Sequence, residues 1–230
     1  MPSLSQLYRP QSFADVTGQA HISETLRKEL ATGRLGHAYL FSGPRGVGKT
    51  TTARIFAKAL NCSDLHDGEP CTTCPSCIAF QSGSAVDVIE LDAATHTGVD
   101  TVRESIIEHA RFAPMLAKRK VYVLDEAHML STASWNALLK TLEEPPAHAF
   151  FILATTEVHK VPATIVSRCQ RFEFRRIDDA PLSARLQEIA KSQVWQVDEE
   201  VIQLSLRVLK AACVMRKHYL VNWVRLENRI

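Results

Sequence analysis

Gly43-Pro44-Arg45-Gly46-Val47-Gly48-Lys49-Thr50 fits the pattern G-x-x-x-x-G-K-[ST] and constrains the fold of this chain more than any other stretch. It lies between an apolar run at 37–41 (HAYLF) and a helical pattern that starts at Lys49, the strand–loop–helix context such a loop requires. Glycines at 43, 46 and 48 let backbone N–H groups curl around an anion, and the following helix N-terminus adds positive potential. Lys49 is expected to reach the β- and γ-phosphates of a nucleotide, and the Thr50 hydroxyl to ligate Mg²⁺. Pro44, Arg45, Val47 and Thr51 complete the expected phosphate-binding stretch.

A second motif supplies the other half of such a site. Val121-Tyr122-Val123-Leu124 reads as a buried strand that delivers Asp125 and Glu126 at its C-terminal end, where open α/β sheets bind ligands. Asp125 is expected in the Mg²⁺ shell and Glu126 beside the attacking water. Asp125-Glu126-Ala127-His128 also spells the DEAH of a helicase family. Those motors need two RecA-like domains, and 230 residues are expected to leave no room for the second, so His128 is read as a helix-start residue.

Further apolar runs at 86–92, 120–125, 150–155 and 171–174 alternate with helical patterns at 22–32, 49–60, 99–112, 134–142, 184–194 and 199–209. Most of the runs are continuously apolar, which predicts a parallel sheet covered on both faces and an α/β fold. Asp100 and Ser131 are candidate N-caps. Strand patterns stop near 175–179, so the nucleotide-binding domain is expected over 1–177 and a small, partial helical lid over 178–230. No stretch approaches the roughly 20 apolar residues of a membrane span, and the first residues lack a secretory signal, so a cytoplasmic location is expected. The net charge is +2, yet residues 205–230 alone carry +5, leaving −3 on the first 204. The main domain therefore has no basic surplus of the kind a nucleic-acid footprint shows.

Residues 61–80 interrupt the α/β alternation with Cys, Pro, Gly and Asp. Cys62, Cys71, Cys74 and Cys77 are spaced C-x₈-C-x₂-C-x₂-C, and four thiolates so close in the chain can close a tetrahedral Zn²⁺ site. With no ligand position left open, the metal is expected to be structural. Because the insert lies outside the phosphate loop, nucleotide binding is expected not to depend on it. Cys169 and Cys213 read as small hydrophobes.

These motifs, with Tyr8-Arg9-Pro10, Gly18-Gln19, residues 90–94 (ELDAA), residues 136–146 (NALLKTLEEPP) and Ser167-Arg168-Cys169, resemble the AAA+ ATPases, and among them the clamp-loader gamma/tau family of bacterial DNA polymerase III. The resemblance covers roughly residues 6–180. It implies an AAA+ P-loop core with an inserted zinc module, and an ATPase that uses ATP, Mg²⁺ and Zn²⁺. It implies a ring built with delta and delta-prime subunits and further gamma/tau copies. ATP binding in that ring opens the beta sliding clamp and places it on primer–template DNA. It further implies that Arg168 acts in trans as an arginine finger, that Thr156 senses the γ-phosphate, and that Arg9, Pro10 and Val16 line the adenine. A non-hydrolysing, delta-prime-like scaffold is the alternative, and its phosphate loop is expected to be degraded. The family's lid text is lost at Ala211-Ala212-Cys213, where the charge shift also falls, and a reading-frame change near residue 212 accounts for both. The family's collar domain is not expected within these residues.

Overall fold

The structure, a computed structural model, describes residues 7–95 and 99–193. The chain divides into two compact units, one formed by Pro10–Arg175 and the other by Met1–Arg9 with Arg176–Ile230. In the larger unit five strands form one sheet: β1 (Ala38–Ser42), β2 (Val88–Asp92), β3 (Lys120–Asp125), β4 (Ala149–Thr155) and β5 (Gln170–Glu173). The order across the sheet is β2-β3-β4-β1-β5, and every pairing is parallel. All of β1 and β4 and most of β3 are buried, as continuous apolar runs require, whereas the edge strands β2 and β5 are only partly covered.

Side chains alternate between two apolar layers. Tyr39, Phe41, Val123 and Ile152 pack with Ile22 and Leu26 of α1 (Ala20–Thr32) and Phe56 of α2 (Lys49–Asn61). Leu40, Tyr122, Leu124 and Phe151 pack on the opposite face with Val102, Ile106 and Leu138. The inserted segment forms a two-strand hairpin, Leu65–His66 with Glu69–Pro70, followed by α3 (Pro75–Ser82).

Several elements differ from the sequence expectation. The helix expected over 99–112 begins as α4 (Val99–Val102), continues as a π-helical stretch (Arg103–Glu108) and ends at 110. Val102, Ile106 and Ala110, four residues apart, are all buried on one face of this winding. Asp100 sits inside the first turn of α4 and does not cap it. Ser131 does cap α5 (Thr132–Glu143), its Oγ accepting from the Ser134 N–H at 3.1 Å. A short helix, α6 (Ala163–Val166), precedes β5.

In the smaller unit α7 (Asp179–Ser192) starts five residues before the expected 184, behind Asp178 in extended conformation, and Tyr8 Oη lies 2.7 Å from Ser192 Oγ. The helical pattern at 199–209, Cys213 and the altered text near 212 lie outside the described residues. Among the described residues no helix is long and apolar enough to cross a membrane.

Candidate functional site

Strand β1 ends at Ser42, which pairs with Thr155 on one side and Glu173 on the other, so the loop at 43–48 leaves from the C-terminal edge of the sheet. Gly43 has φ +147, and a Cβ there would meet the Phe174 carbonyl oxygen at 2.4 Å, so only glycine lets the loop start against β5. Gly46 and Gly48 have φ +82 and +100, and nothing lies within 4 Å of where their Cβ atoms would stand. The loop therefore leaves open space at the head of α2, where a phosphate would meet backbone N–H groups. Val47 is buried and fastens the loop to the core, while Arg45 and Gly46 are exposed. Lys49 is only 6% exposed, and its Nζ donates to the carbonyls of Gly43 at 2.8 Å and Pro44 at 2.6 Å.

The two expected Mg²⁺ ligands meet: Thr50 Oγ1 donates to Asp125 Oδ2 at 2.8 Å. Hydroxyl and carboxylate oxygens are the hard donors Mg²⁺ takes, alongside phosphate. Asp92 pairs in register with Asp125, and Glu90 stands two residues before it on β2. Burial raises the Glu90 carboxyl above its ordinary value; Arg54, 3.0 Å away, opposes the rise, and Asp125 and Asp92 add to it.

Glu126 adopts the left-handed conformation (φ 47, ψ 42), which is rare outside glycine and costs on the order of 1 kcal/mol or more. Its N–H donates to Asp125 Oδ1 at 3.0 Å, and its C=O accepts from Met129 at 2.8 Å. Thr156 Oγ1 donates to Glu126 Oε2 at 3.1 Å, so the expected sensor and the expected water-activating carboxylate are in contact.

His128 lies in the short 3₁₀-helix Ala127–Met129, in keeping with the helix-start reading, but its side-chain partners were not foreseen. Its side chain, 7% exposed, lies 3.1 Å from Thr155 Oγ1 through Nδ1 and 3.3 Å from Glu157 Oε1 through Nε2. Nδ1 is also 3.6 Å from Glu126 Oε2. The helix-start reading looked along the chain, whereas its partners sit on the neighbouring strand end. Lys160, 2.9 Å away, with smaller help from His128 and His159, holds the Glu157 carboxyl below its ordinary value.

Other expected site residues are placed differently. Arg168 pairs with Glu143 at 2.6 Å and also donates to the Thr164 carbonyl and to Ser167 Oγ, none of them residues of the phosphate cluster. Val16 packs against the apolar cluster that contains Val47. Pro10 begins the larger unit and Arg9 belongs to the smaller one. Thr51 is half-buried in the first turn of α2.

The four cysteines converge, with Sγ atoms all within 4.8 Å of one another. Cys62 and Cys71 are 3.5 Å apart and Cys62 and Cys74 4.0 Å, close to the ~3.8 Å edge of a tetrahedron with Zn–S bonds of about 2.3 Å. Burial raises the Cys62 and Cys77 thiols. At Cys74 burial also acts upward, but backbone N–H groups of Ser63 and Cys77 outweigh it and bring the thiol down to about 5. Cys169 stands apart against the second apolar layer, its thiol raised to about 12 by burial.

Residues 18–178 match the family model described as DNA polymerase III, delta subunit. The chain is 52% identical over 202 residues to DNA polymerase III subunit tau of Bacillus subtilis, covering 88% of this chain and 36% of that protein. It is 44% identical over 209 residues to subunit tau of Escherichia coli (91% and 32%), and 46% identical over 207 residues to subunit gamma/tau of Mycobacterium tuberculosis (89% and 36%). The chain thus spans about a third of the length of these relatives. Among solved structures it is similar to the RuvB Holliday junction branch migration motor of Thermotoga maritima, with a TM-score of 0.59 at 18% identity over 86% of this chain and 59% of that one. At that identity the likeness concerns the fold alone.

Proposed function

The chain belongs to the DNA polymerase III family matched over residues 18–178 and corresponds to an N-terminal portion of its gamma/tau subunits, and from that premise we propose that it is the ATP-binding and hydrolysing module of a clamp loader. The observation that carries this reading is the 2.8 Å bond between Thr50 and Asp125, which joins the phosphate loop to the acidic strand end. When Mg·ATP binds, Lys49 exchanges the Gly43 and Pro44 carbonyls for β- and γ-phosphate oxygens. Thr50 and Asp125 hold the Mg²⁺, which neutralises charge on the phosphates. Glu126 accepts the proton of the attacking water, and the Thr156 hydroxyl places that carboxylate for the task. Pro10 and Val16 line the adenine, with Arg9 alongside. Arg168 leaves Glu143 to serve the nucleotide of a neighbouring subunit, where a trans arginine is worth about 10³–10⁵ in rate. The four cysteines hold a structural Zn²⁺.

In this reading the module assembles with delta, delta-prime and further gamma/tau copies. ATP binding opens the beta sliding clamp over primer–template DNA. A delta-prime-like scaffold is disfavoured by the intact loop with Lys49 and by Glu126 in contact with Thr156. The test is phosphate release by a complex of this chain with delta, delta-prime, clamp and primed DNA. Stimulated release that Glu126→Gln abolishes while ATP still binds is expected; release at the parent rate would remove Glu126 from the mechanism.

A further inference from the structure

In sequence the cysteine insert stands outside the phosphate loop, yet in the fold it touches the segment at 11–16. That segment has no helix or strand to hold it. It is tied locally, with the Ser12 N–H and Oγ both donating to Asp15 Oδ2, at 3.1 and 2.7 Å, and Val16 N–H donating to the Phe13 carbonyl at 3.1 Å. Beside the packing of Val16 against the core cluster, three ties bear on its position relative to the sheet. The Phe13 ring, 2% exposed, enters the apolar cluster shared with Val47. Lys58 of α2, 2% exposed, donates to the Gln11 carbonyl. Glu69 Oε2 accepts the Phe13 N–H at 2.8 Å.

Glu69 lies in the insert's hairpin, two residues before the ligand candidate Cys71. It is itself held in place: Arg27 Nε on α1 is 3.4 Å from its Oε1 and donates to the Asp67 carbonyl at 3.1 Å. Gly68 has φ +79, and a Cβ there would stand 2.2 Å from the Arg27 carbonyl oxygen, so the hairpin turn rests directly on α1. The carboxylate is 19% exposed, and a charged acceptor held this way makes a stronger, better directed bond to a backbone N–H than water does. The insert therefore supplies one of the anchors that place residues 11–16.

We infer that Glu69 is a positioning residue for nucleotide binding, through which the cysteine module holds the base-lining segment against the phosphate site. The inference rests on the proposed adenine contact of Pro10 and Val16, and it departs from the expectation that nucleotide binding is independent of the insert. Glu69 touches neither base nor phosphate; it acts through Phe13.

The test compares Mg·ATP with Mg·tripolyphosphate, which carries the phosphates without the base. Both are titrated calorimetrically onto the 230-residue chain, Glu69→Ala and Glu69→Gln. Glu69→Ala is expected to weaken ATP binding by about tenfold, the worth of one hydrogen bond to a charged group, and to leave tripolyphosphate binding unchanged. Glu69→Gln keeps an oxygen acceptor for the Phe13 N–H and is expected to stay within about threefold of the parent for ATP. Parent-like ATP affinity in Glu69→Ala overturns the inference. So does an equal loss of both ligands, because that marks general damage to the site. A parent that binds ATP no more tightly than tripolyphosphate overturns the adenine reading itself.

Discussion

Asp87 is the residue whose loss should be felt most by the sheet that carries the site. Its carboxylate is buried just before β2 and accepts three backbone N–H groups at 2.8 Å each, from Met115, Leu116 and Ala117. Its own carbonyl accepts from Val121, so one residue ties down both the connection entering β3 and the start of that strand, whose far end bears Asp125 and Glu126. Asp87→Ala strands three donors at about 1–3 kcal/mol each if they stayed buried. Met115 and Leu116 are 81% and 85% exposed, so water reaches the freed loop and relieves part of that cost. The expected destabilisation is about 3 kcal/mol, and about half that for Asp87→Asn, which keeps one acceptor oxygen. Urea unfolding followed by circular dichroism reads this as a midpoint lowered by roughly 1 M for Asp87→Ala, with m near 3 kcal/mol/M.

The effect must also depend on pH. Burial alone would raise the Asp87 carboxyl, but the three N–H groups, helped by Lys120, hold it below its ordinary value. A depressed folded pKa contributes stability that is fully present above the unfolded value of about 3.9 and is lost as pH falls through the folded one. The gap between parent and Asp87→Asn should therefore be constant near neutrality and close below about pH 4. A variant within about 0.5 kcal/mol of the parent at pH 7, or a gap that widens in acid, would refute the assignment.

Ser131→Ala removes the N-cap of α5 and should cost about 1 kcal/mol in the same urea assay; no change would mean the Ser134 N–H finds water equally well. Elemental analysis should find one Zn²⁺ per chain, absent after Cys74→Ser, with proteolysis then opening the hairpin region first; a metal-free native protein would remove zinc from the account. Thr156→Val should leave ATP affinity unchanged and lower hydrolysis at least about tenfold, because Glu126 loses the hydroxyl that places it. Hydrolysis at the parent rate would confine Thr156 to a structural role.

The parts of the fold legible in the sequence were those whose signal is local. Lys120–Asp125 is observed with the bounds its apolar run predicts, and α2 begins at Lys49 as the phosphate-loop pattern requires. The four cysteines meet because short spacing leaves them little else to do. What stayed hidden depends on neighbours far along the chain. His128 reads as a helix-start residue, and nothing near it in the chain tells of Thr155 and Glu157, which the end of β4 brings beside it. Glu69 drew no notice in the sequence, because its partner Phe13 lies 56 positions away. The π winding at Arg103–Glu108 leaves no mark in the sequence, because buried residues at Val102, Ile106 and Ala110 fit an ordinary helical face equally well. Arg168 is legible only as a motif match, since among the described residues its side chain pairs with Glu143, Thr164 and Ser167.

The central claim, that the loop at 43–50 binds the phosphates of ATP, is tested most directly by one titration. Mg·ATP is added to the parent chain and to Lys49→Ala, and affinity is read by calorimetry. Lys49 is the charge that must leave the Gly43 and Pro44 carbonyls to meet the β- and γ-phosphates, so the variant should bind at least about a hundredfold more weakly, while urea unfolding stays within about 1 kcal/mol of the parent. Equal affinity in the two proteins would contradict the account.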